Sequence, residues 1–87
     1  MTSFALDGVV TDLAGKPLAG VSIAYASAPV SMPEVALLSD ANGSFRVALP
    51  VAGSYELSFH LDGFRSTQVR LIAPRPPSAL RVVMHPA

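Results

Sequence analysis

Apolar and polar residues alternate with a period of two along most of this chain. Between residues 54 and 61 the apolar residues Tyr55, Leu57 and Phe59 share one parity, and the polar residues occupy the other. Successive side chains of a strand point to opposite faces, so this pattern predicts a half-buried β-strand. No segment shows the period of about 3.6 residues that is typical of an amphipathic helix. Three further inward rows are predicted: Val21, Ile23 and Tyr25; Phe45, Val47 and Leu49; Leu80, Val82 and Met84.

Turn-forming residues separate these rows at regular intervals. Asp40-Ala41-Asn42-Gly43 places an Asx side chain before Asn-Gly, the pair that most readily adopts positive φ in a tight turn. We therefore expect a hairpin over residues 35–49. Related turns are expected at Asp12–Pro17, Pro50–Gly53 and Leu61–Phe64. With seven candidate strands and no helix signal, the chain is predicted to be a small all-β antiparallel sandwich.

The alternation changes phase once, after the fifth candidate strand. Phe64 has an even number, whereas the next apolar residues in strand-like sequence, Val69 and Leu71, have odd numbers. An extra residue in a strand shifts the phase in this way, so we expect a bulge or bend near Ser66 and Thr67.

Length and charge limit what the chain can be. Its 87 residues can close one hydrophobic core, so we expect a single domain over residues 1–87. The absence of cysteine excludes disulfides, thiolate catalysis and Cys-based zinc sites. Six basic and six acidic residues cancel, without the basic patch expected of a nucleic-acid-binding protein. Only 14% of the residues are charged, whereas about 25% is usual, so the surface is predicted to be poor in charge.

The sequence shows no targeting or membrane-spanning segment. The start MTSFALDGVV has neither a basic region nor a continuous apolar run, so we do not expect it to act as a signal peptide. No stretch approaches the roughly 18 consecutive apolar residues of a membrane-spanning helix. We therefore expect no membrane insertion, in a chain that is either intracellular or a piece of a longer protein whose compartment is unknown.

Five turn motifs at defined spacing resemble those of one known family. The motifs are Gly8-Val9-Val10-Thr11-Asp12, Gly15-Lys16-Pro17-Leu18-Ala19-Gly20-Val21, Ser39-Asp40 before Gly43 and Phe45, Leu49-Pro50 before Gly53 and Tyr55, and Gly63-Phe64. Together they resemble the carboxypeptidase regulatory-like domain over residues 4 to about 85. The resemblance implies a transthyretin-like (prealbumin-like) fold, a seven-stranded antiparallel Greek-key β-sandwich. It also implies an accessory module without catalytic residues, found beside peptidases, in surface proteins and in components of secretion machines.

The candidate residues for chemistry are few. His60 and His85 are the only histidines, both on outward parities, and no third ligand or flanking acidic pair accompanies them. No serine lies in a G-x-S-x-G motif. Asp12, Asp40 and Asp62 each precede a glycine in a turn, where capping of the turn is their expected role rather than calcium binding. We therefore expect no catalytic residue, no cofactor site and no metal site.

One enzymatic alternative comes from the same fold class. Proteins that resemble transthyretin include the 5-hydroxyisourate hydrolases, which carry a C-terminal Tyr-Arg-Gly-Ser signature. This chain ends Val-Val-Met-His-Pro-Ala, and the signature is absent. A hydrolase of that type is therefore disfavoured.

Two segments are candidates for binding a partner protein. The stretch from residue 26 to residue 33 is longer than a hairpin needs and carries the apolar residues Val30 and Met32, which either cover one end of the sandwich or form a contact surface. Pro74, Arg75 and Pro76 form either a polyproline ligand or a stiff connector. We expect a non-catalytic interaction, adaptor or spacer module within a larger secreted, surface or secretion-machine protein. The alternative is a binder of a small ligand or carbohydrate.

Overall fold

A computed structural model describes residues 4–31, 36–73 and 80–87. Strands and the turns between them make up these ranges, and no helix occurs within them. The strands are β1 (Phe4–Thr11), β2 (Ser22–Ser27), β3 (Leu37–Leu38), β4 (Ser44–Leu49), β5 (Gly53–His60), β6 (Thr67–Ala73) and β7 (Leu80–Val83). The prediction of an all-β fold is confirmed.

The strands form two sheets that pack face to face. One sheet has the order β4-β1-β7, and the other has the order β3-β2-β5-β6. Neighbouring strands within each sheet are antiparallel, except for β1 and β7, which run parallel. The prediction of a wholly antiparallel sandwich is therefore wrong for this pair. Alternation of side chains carries no information on strand direction, and the long chain between the first and last strands permits either direction.

The inward rows predicted from the alternation meet in one core. Phe59 from the four-stranded sheet is fully buried, and its ring contacts that of Phe45 from the three-stranded sheet edge to face, with centroids 5.4 Å apart. Gly8 lies opposite Phe45 in the register of β1 and β4, and a Cβ at Gly8 would collide with the Phe45 ring. The glycine thus leaves the space that the ring fills. The buried residues are Leu6, Val10, Val21, Ile23, Phe45, Val47, Leu49, Tyr55, Leu57, Phe59, Leu71, Ala73, Val82 and Met84.

Two turns use the same hydrogen-bond pattern. In the first, Asp12 Oδ1 accepts the N–H groups of residues 14 and 16, and the N–H of Gly15 donates to the Asp12 carbonyl. In the second, Asp40 Oδ1 accepts the N–H groups of residues 42 and 44, and Gly43 donates to the Asp40 carbonyl. Gly15 and Gly43 have φ of 83° and 72°, in the left-handed region that suits glycine. Capping of the turn is confirmed as the role of both aspartates.

The second turn does not close the hairpin predicted over residues 35–49. β3 pairs with β2, whereas β4 belongs to the other sheet, so the turn carries the chain from one sheet to the other. Ser39 explains the difference, because it is buried and attached to the segment before β2. Its Oγ accepts the Val21 N–H at 2.9 Å and donates to the Leu18 carbonyl at 2.7 Å.

The phase change after β5 comes from a turn rather than from a bulge near Ser66 and Thr67. The pairing of β5 with β6 is regular from Thr67 onward, and Phe64 lies outside both strands, where it forms an isolated bridge with Pro86. The bulge or bend predicted near Ser66 and Thr67 is therefore wrong, because the chain turns earlier, at residues 62–63. A register shift occurs instead in β2, between Tyr25 and Ser27.

Tyr55 fixes the connection between the two sheets at the β4–β5 turn. Its ring is buried in the core, and its hydroxyl donates to the Val51 carbonyl at 2.6 Å and accepts the Val51 N–H at 3.0 Å. A buried tyrosine that binds backbone a few residues upstream is the tyrosine corner known from other β-sandwiches.

We expect Tyr55→Phe to lower the free energy of unfolding by about 1–3 kcal/mol, because both Val51 backbone groups lose their partner while the ring stays buried. Tyr25→Phe is the matched control, since the hydroxyl of the half-buried Tyr25 makes one bond, to the Ala48 carbonyl, whereas that of Tyr55 makes two. Urea denaturation of the two variants and the wild type measures both changes. A loss for Tyr55→Phe no larger than that for Tyr25→Phe would contradict the role given to the corner.

Candidate functional site

The residues predicted to bind a partner are only partly covered by the described ranges. Val30 is 42% exposed in the connection between β2 and β3. Of its two preceding neighbours, Ala28 is partly buried against the core, and Pro29 is exposed with its ring beside Gly53. Met32, Pro74, Arg75 and Pro76 lie outside the described residues. The partner role of all five residues remains a prediction.

The structure brings together a serine, a histidine and an aspartate that are dispersed in the sequence. At the β5–β6 turn, His60 Nδ1 lies 3.1 Å from Ser66 Oγ, and His60 Nε2 lies 3.9 Å from Asp62 Oδ1. All three side chains are exposed, with more than half of the His60 side chain in contact with solvent. Ion pairs in such positions contribute little because water screens them. The arrangement has the members of a catalytic triad without the burial that orients one.

The remaining polar candidates occupy structural or solvent-facing positions. His85 is exposed and faces away from the core, as predicted. In residues 4–31, 36–73 and 80–87, no three histidine or acidic side chains lie close enough to hold a metal ion. Asp12 and Asp40 have their carboxylates occupied by backbone N–H groups of their own turns.

A shallow cleft of about 450 Å³ lies where β3 and β4 approach each other at the edges of the two sheets. Its apolar part is formed by Leu37 and Leu38, which are 38% and 63% exposed, together with Phe45. Its charged part consists of Asp40 and an exposed ion pair in which Arg46 Nε lies 3.4 Å from Asp7 Oδ1. We call this concavity the edge cleft; its lining residues are Asp7, Leu37, Leu38, Asp40, Ser44, Phe45 and Arg46.

Tyr25 bridges the two sheets close to the same edge. It extends from β2, and its hydroxyl donates a hydrogen bond to the Ala48 carbonyl of β4. Burial raises the pKa of the Tyr25 phenol because it disfavours the charged form, and the hydrogen bond to Ala48 opposes this effect in part. Tyr25 therefore remains a neutral hydrogen-bond donor at physiological pH.

The edge cleft contains residues that the sequence reasoning did not select. The available signal was the pair Leu37-Leu38, since two adjacent apolar residues in a strand point to opposite faces. Leu38 pairs with Ser22 on the outer face, whereas Leu37 pairs with the buried Ile23 on the inner face. One of the two leucines had to face solvent unless another element covered it.

A carboxypeptidase regulatory-like domain model matches residues 5–85 of this sequence. The chain belongs to this family. The match confirms the resemblance drawn from the five turn motifs. Carboxypeptidase regulatory-like domains are small accessory β-sandwiches, and the family is defined as regulatory-like rather than catalytic.

Structural comparison places the domain among known β-sandwiches. The crystal structure of 3-chlorocatechol 1,2-dioxygenase from Rhodococcus opacus 1CP is similar to it, with a TM-score of 0.68 at 14% sequence identity. The alignment covers 99% of this chain and 60% of the dioxygenase chain, so the likeness concerns only part of the larger protein. At this identity it shows the fold alone. No curated protein sequence matches the chain. Within the described ranges, no helix has the length and apolar character needed to cross a membrane.

Proposed function

We propose that this carboxypeptidase regulatory-like domain is a non-catalytic protein-interaction module that acts as an adaptor within a larger secreted, surface or secretion-machine protein. The observation that carries the proposal is the apolar surface left exposed on a domain with 14% charged residues. Large apolar side chains at the surface of the described residues are Val9, Leu13, Val30, Leu37, Leu38, Ile72 and Val83. Apolar surface that folding does not bury is available for contact with another protein.

A carbohydrate-binding role has less support. Sugar-binding platforms present exposed aromatic rings, but Phe45, Tyr55 and Phe59 are buried here, and Tyr25 and Phe64 are half-buried. The phenol oxygens of both tyrosines are also engaged with backbone groups. These rings stabilise the sandwich and are not presented to a sugar, so the surface supports a protein-interaction role better than a carbohydrate-binding role.

The proposed contact includes the connection between β2 and β3. We expect Val30→Asp and Met32→Asp each to reduce partner capture at least about tenfold, because a charge in an apolar contact weakens binding. Val30 is exposed, so its replacement should change the melting temperature little. The measurement is affinity capture with the tagged chain from its native organism, quantified by mass spectrometry. Capture should depend weakly on salt, since little of an apolar contact is Coulombic.

Leu13→Asp is the matched control for these variants. Leu13 is 61% exposed in the Asp12–Pro17 turn, which packs beside Gly43, whereas Pro29 packs beside Gly53 at the opposite end of β4. The control variant should capture the partner normally. Equal capture by all variants would exclude the loop as the contact. Failure of the wild type to enrich any protein over a tag-only control would overturn the interaction function itself.

A further inference from the structure

The hydrogen-bond register of β4 shows which of its backbone groups point away from β1. Val10 N–H donates to the Gly43 carbonyl at 2.9 Å, and the register continues with Gly8 opposite Phe45. In an antiparallel pair, alternate residues bond to the neighbouring strand. The odd-numbered residues of β4 therefore bond to β1. The even-numbered residues turn their N–H and C=O groups to the open edge; they are Ser44, Arg46 and Ala48.

Asp40 and Tyr25 close the two ends of this open edge. The N–H of Ser44 donates to Asp40 Oδ1 at 2.9 Å, and its carbonyl accepts the Asp40 N–H at 3.0 Å. The Ala48 carbonyl accepts the Tyr25 hydroxyl. Between them, Arg46 has no backbone hydrogen-bond partner among the described residues. The result is a slot about 13 Å long, at about 3.3 Å per residue from Ser44 to Ala48.

The slot has an apolar inner wall. Leu37 shares the inner face of its sheet with Ile23, and Phe45 faces the core from β4. β3 and β4 belong to different sheets and do not pair with each other, so the leucines of β3 stand at the rim of the slot. An occupant that pairs with Arg46 would therefore place its flanking side chains on an apolar surface.

The charges around the slot define the preferred sign of the occupant. Asp7 and Arg46 neutralise each other as an exposed ion pair, and Asp40 adds a carboxylate at the end where Ser44 lies. Asp40 is exposed, with Oδ1 held by two N–H groups of its own turn, and that turn presents no basic side chain to the cleft. The edge cleft thus carries a net charge of minus one and favours a basic group beside Asp40.

We infer that the edge cleft binds an extended peptide segment of a partner protein, which adds a short antiparallel strand to β4. The inference rests on the proposed interaction function and names its site and partner chemistry. The residue opposite Arg46 exchanges backbone hydrogen bonds with it and points outward. The residues on either side are apolar; they point inward, as Phe45 does, and contact the exposed part of Leu37. The next residue reaches the end of the slot, where Asp40 holds both outward backbone groups of Ser44. This residue is basic and lies beside the Asp40 carboxylate, which gives the pattern apolar, polar, apolar, basic.

The test uses synthetic peptides and the full chain. The probe is acetyl-Ser-Val-Thr-Val-Lys-Ser-amide, titrated to 5 mM, roughly the weak range of such short segments, into isotopically labelled protein with amide shifts recorded by NMR. We expect saturable shifts of the Leu38 and Arg46 amides and none at Leu13. Replacing the central threonine by proline removes the N–H that would bind the Arg46 carbonyl, and should abolish the shifts. Replacing lysine by glutamate should weaken binding about fivefold at low salt and less at high salt.

Protein variants separate the cleft from the rest of the surface. Leu37→Asp and Leu38→Asp should weaken peptide binding at least about tenfold, and Leu13→Asp should leave it unchanged, with the folded spectrum verifying each variant. Leu38 is the safer position because it lies on the outer face, so its result stands even if Leu37→Asp unfolds. Equal binding of the proline peptide would overturn the strand pairing. Shifts at Leu38 that depend on protein concentration without peptide would assign the cleft to a second copy of the chain and overturn the peptide proposal.

The outcomes for the cleft and for the interaction function are distinguishable. If no peptide shifts the cleft amides, and Leu38→Asp captures the native partner normally, the edge cleft is excluded while the interaction function stands. If the peptide binds but the wild type captures no protein, the adaptor proposal fails. The inference that the cleft binds a segment of a partner protein, which rests on that proposal, is then overturned as well.

Discussion

Phe59→Ala lowers the free energy of unfolding by about 3–5 kcal/mol, the range observed when a large buried aromatic side chain is truncated. Phe59 is fully buried, and its edge-to-face contact with Phe45 joins the two sheets, so the cavity opens between layers that the backbone holds apart. A domain of this size is stabilised by about 4–13 kcal/mol in total, so the loss is a large part of it. Chemical denaturation monitored by tyrosine fluorescence or circular dichroism measures the change.

His60→Ala is the adjacent control for this prediction. His60 is the next residue of β5 and is exposed; among the described residues its polar contacts are with the exposed side chains of Ser66 and Asp62. Its removal should change the free energy of unfolding by less than about 0.5 kcal/mol. Similar losses for both variants would mean that the assignment of inner and outer faces in β5 is wrong.

Gly43→Ala destabilises the domain by about 2–5 kcal/mol, through two separable effects. An L-residue at φ of 72° costs about 1–2 kcal/mol. The new Cβ would also collide with the Val10 carbonyl oxygen and come within 3.2 Å of the Leu18 backbone nitrogen. Overpacking of this kind adds about 1–3 kcal/mol, because backbone atoms held by hydrogen bonds cannot move aside.

Gly15→Ala isolates the first effect, so the difference between the two variants measures the second. Gly15 occupies the same position of the same turn type at φ of 83°, but nothing lies within 4 Å of where its Cβ would be. It should therefore cost only the conformational part, about 1–2 kcal/mol. Thermal denaturation of both variants in one buffer gives the difference. If Gly43→Ala and Gly15→Ala are equally destabilising, the contact between the second turn and β1 contributes nothing.

The inward rows could be predicted because they depend on local sequence. Alternation around Phe59 fixes which side chains face the core, whatever the strand pairs with. Pairing depends on contacts between distant residues, and the predicted hairpin over residues 35–49 fails for that reason. Ser39 decides where β3 lies through bonds to Leu18 and Val21, 21 and 18 residues away in sequence. A buried serine that binds remote backbone leaves no periodic signal.

The candidate site could be predicted less well than the fold. The pair Leu37-Leu38 is visible in the sequence, but its exposure depends on β3 and β4 lying in different sheets. The loop residue Val30 was selected because apolar residues are unusual in a loop, and it is exposed. The Ser66–His60 contact was missed because the turn that joins them is not part of any catalytic motif.

The parallel pairing of β1 with β7 determines how the domain would respond to tension. Gly8 to Thr11 lie beside Leu80 to Val83 in the same direction, so the start of β1 and the end of β7 lie at opposite ends of the pair. A force applied through Phe4 and Val83 would slide the two strands past each other and load all their hydrogen bonds together. If the two terminal strands were antiparallel, the loaded ends would lie together and their hydrogen bonds would break one after another. If this sandwich lies between other domains, force through its ends would therefore load the β1–β7 hydrogen bonds in shear, which makes the domain resistant to mechanical unfolding.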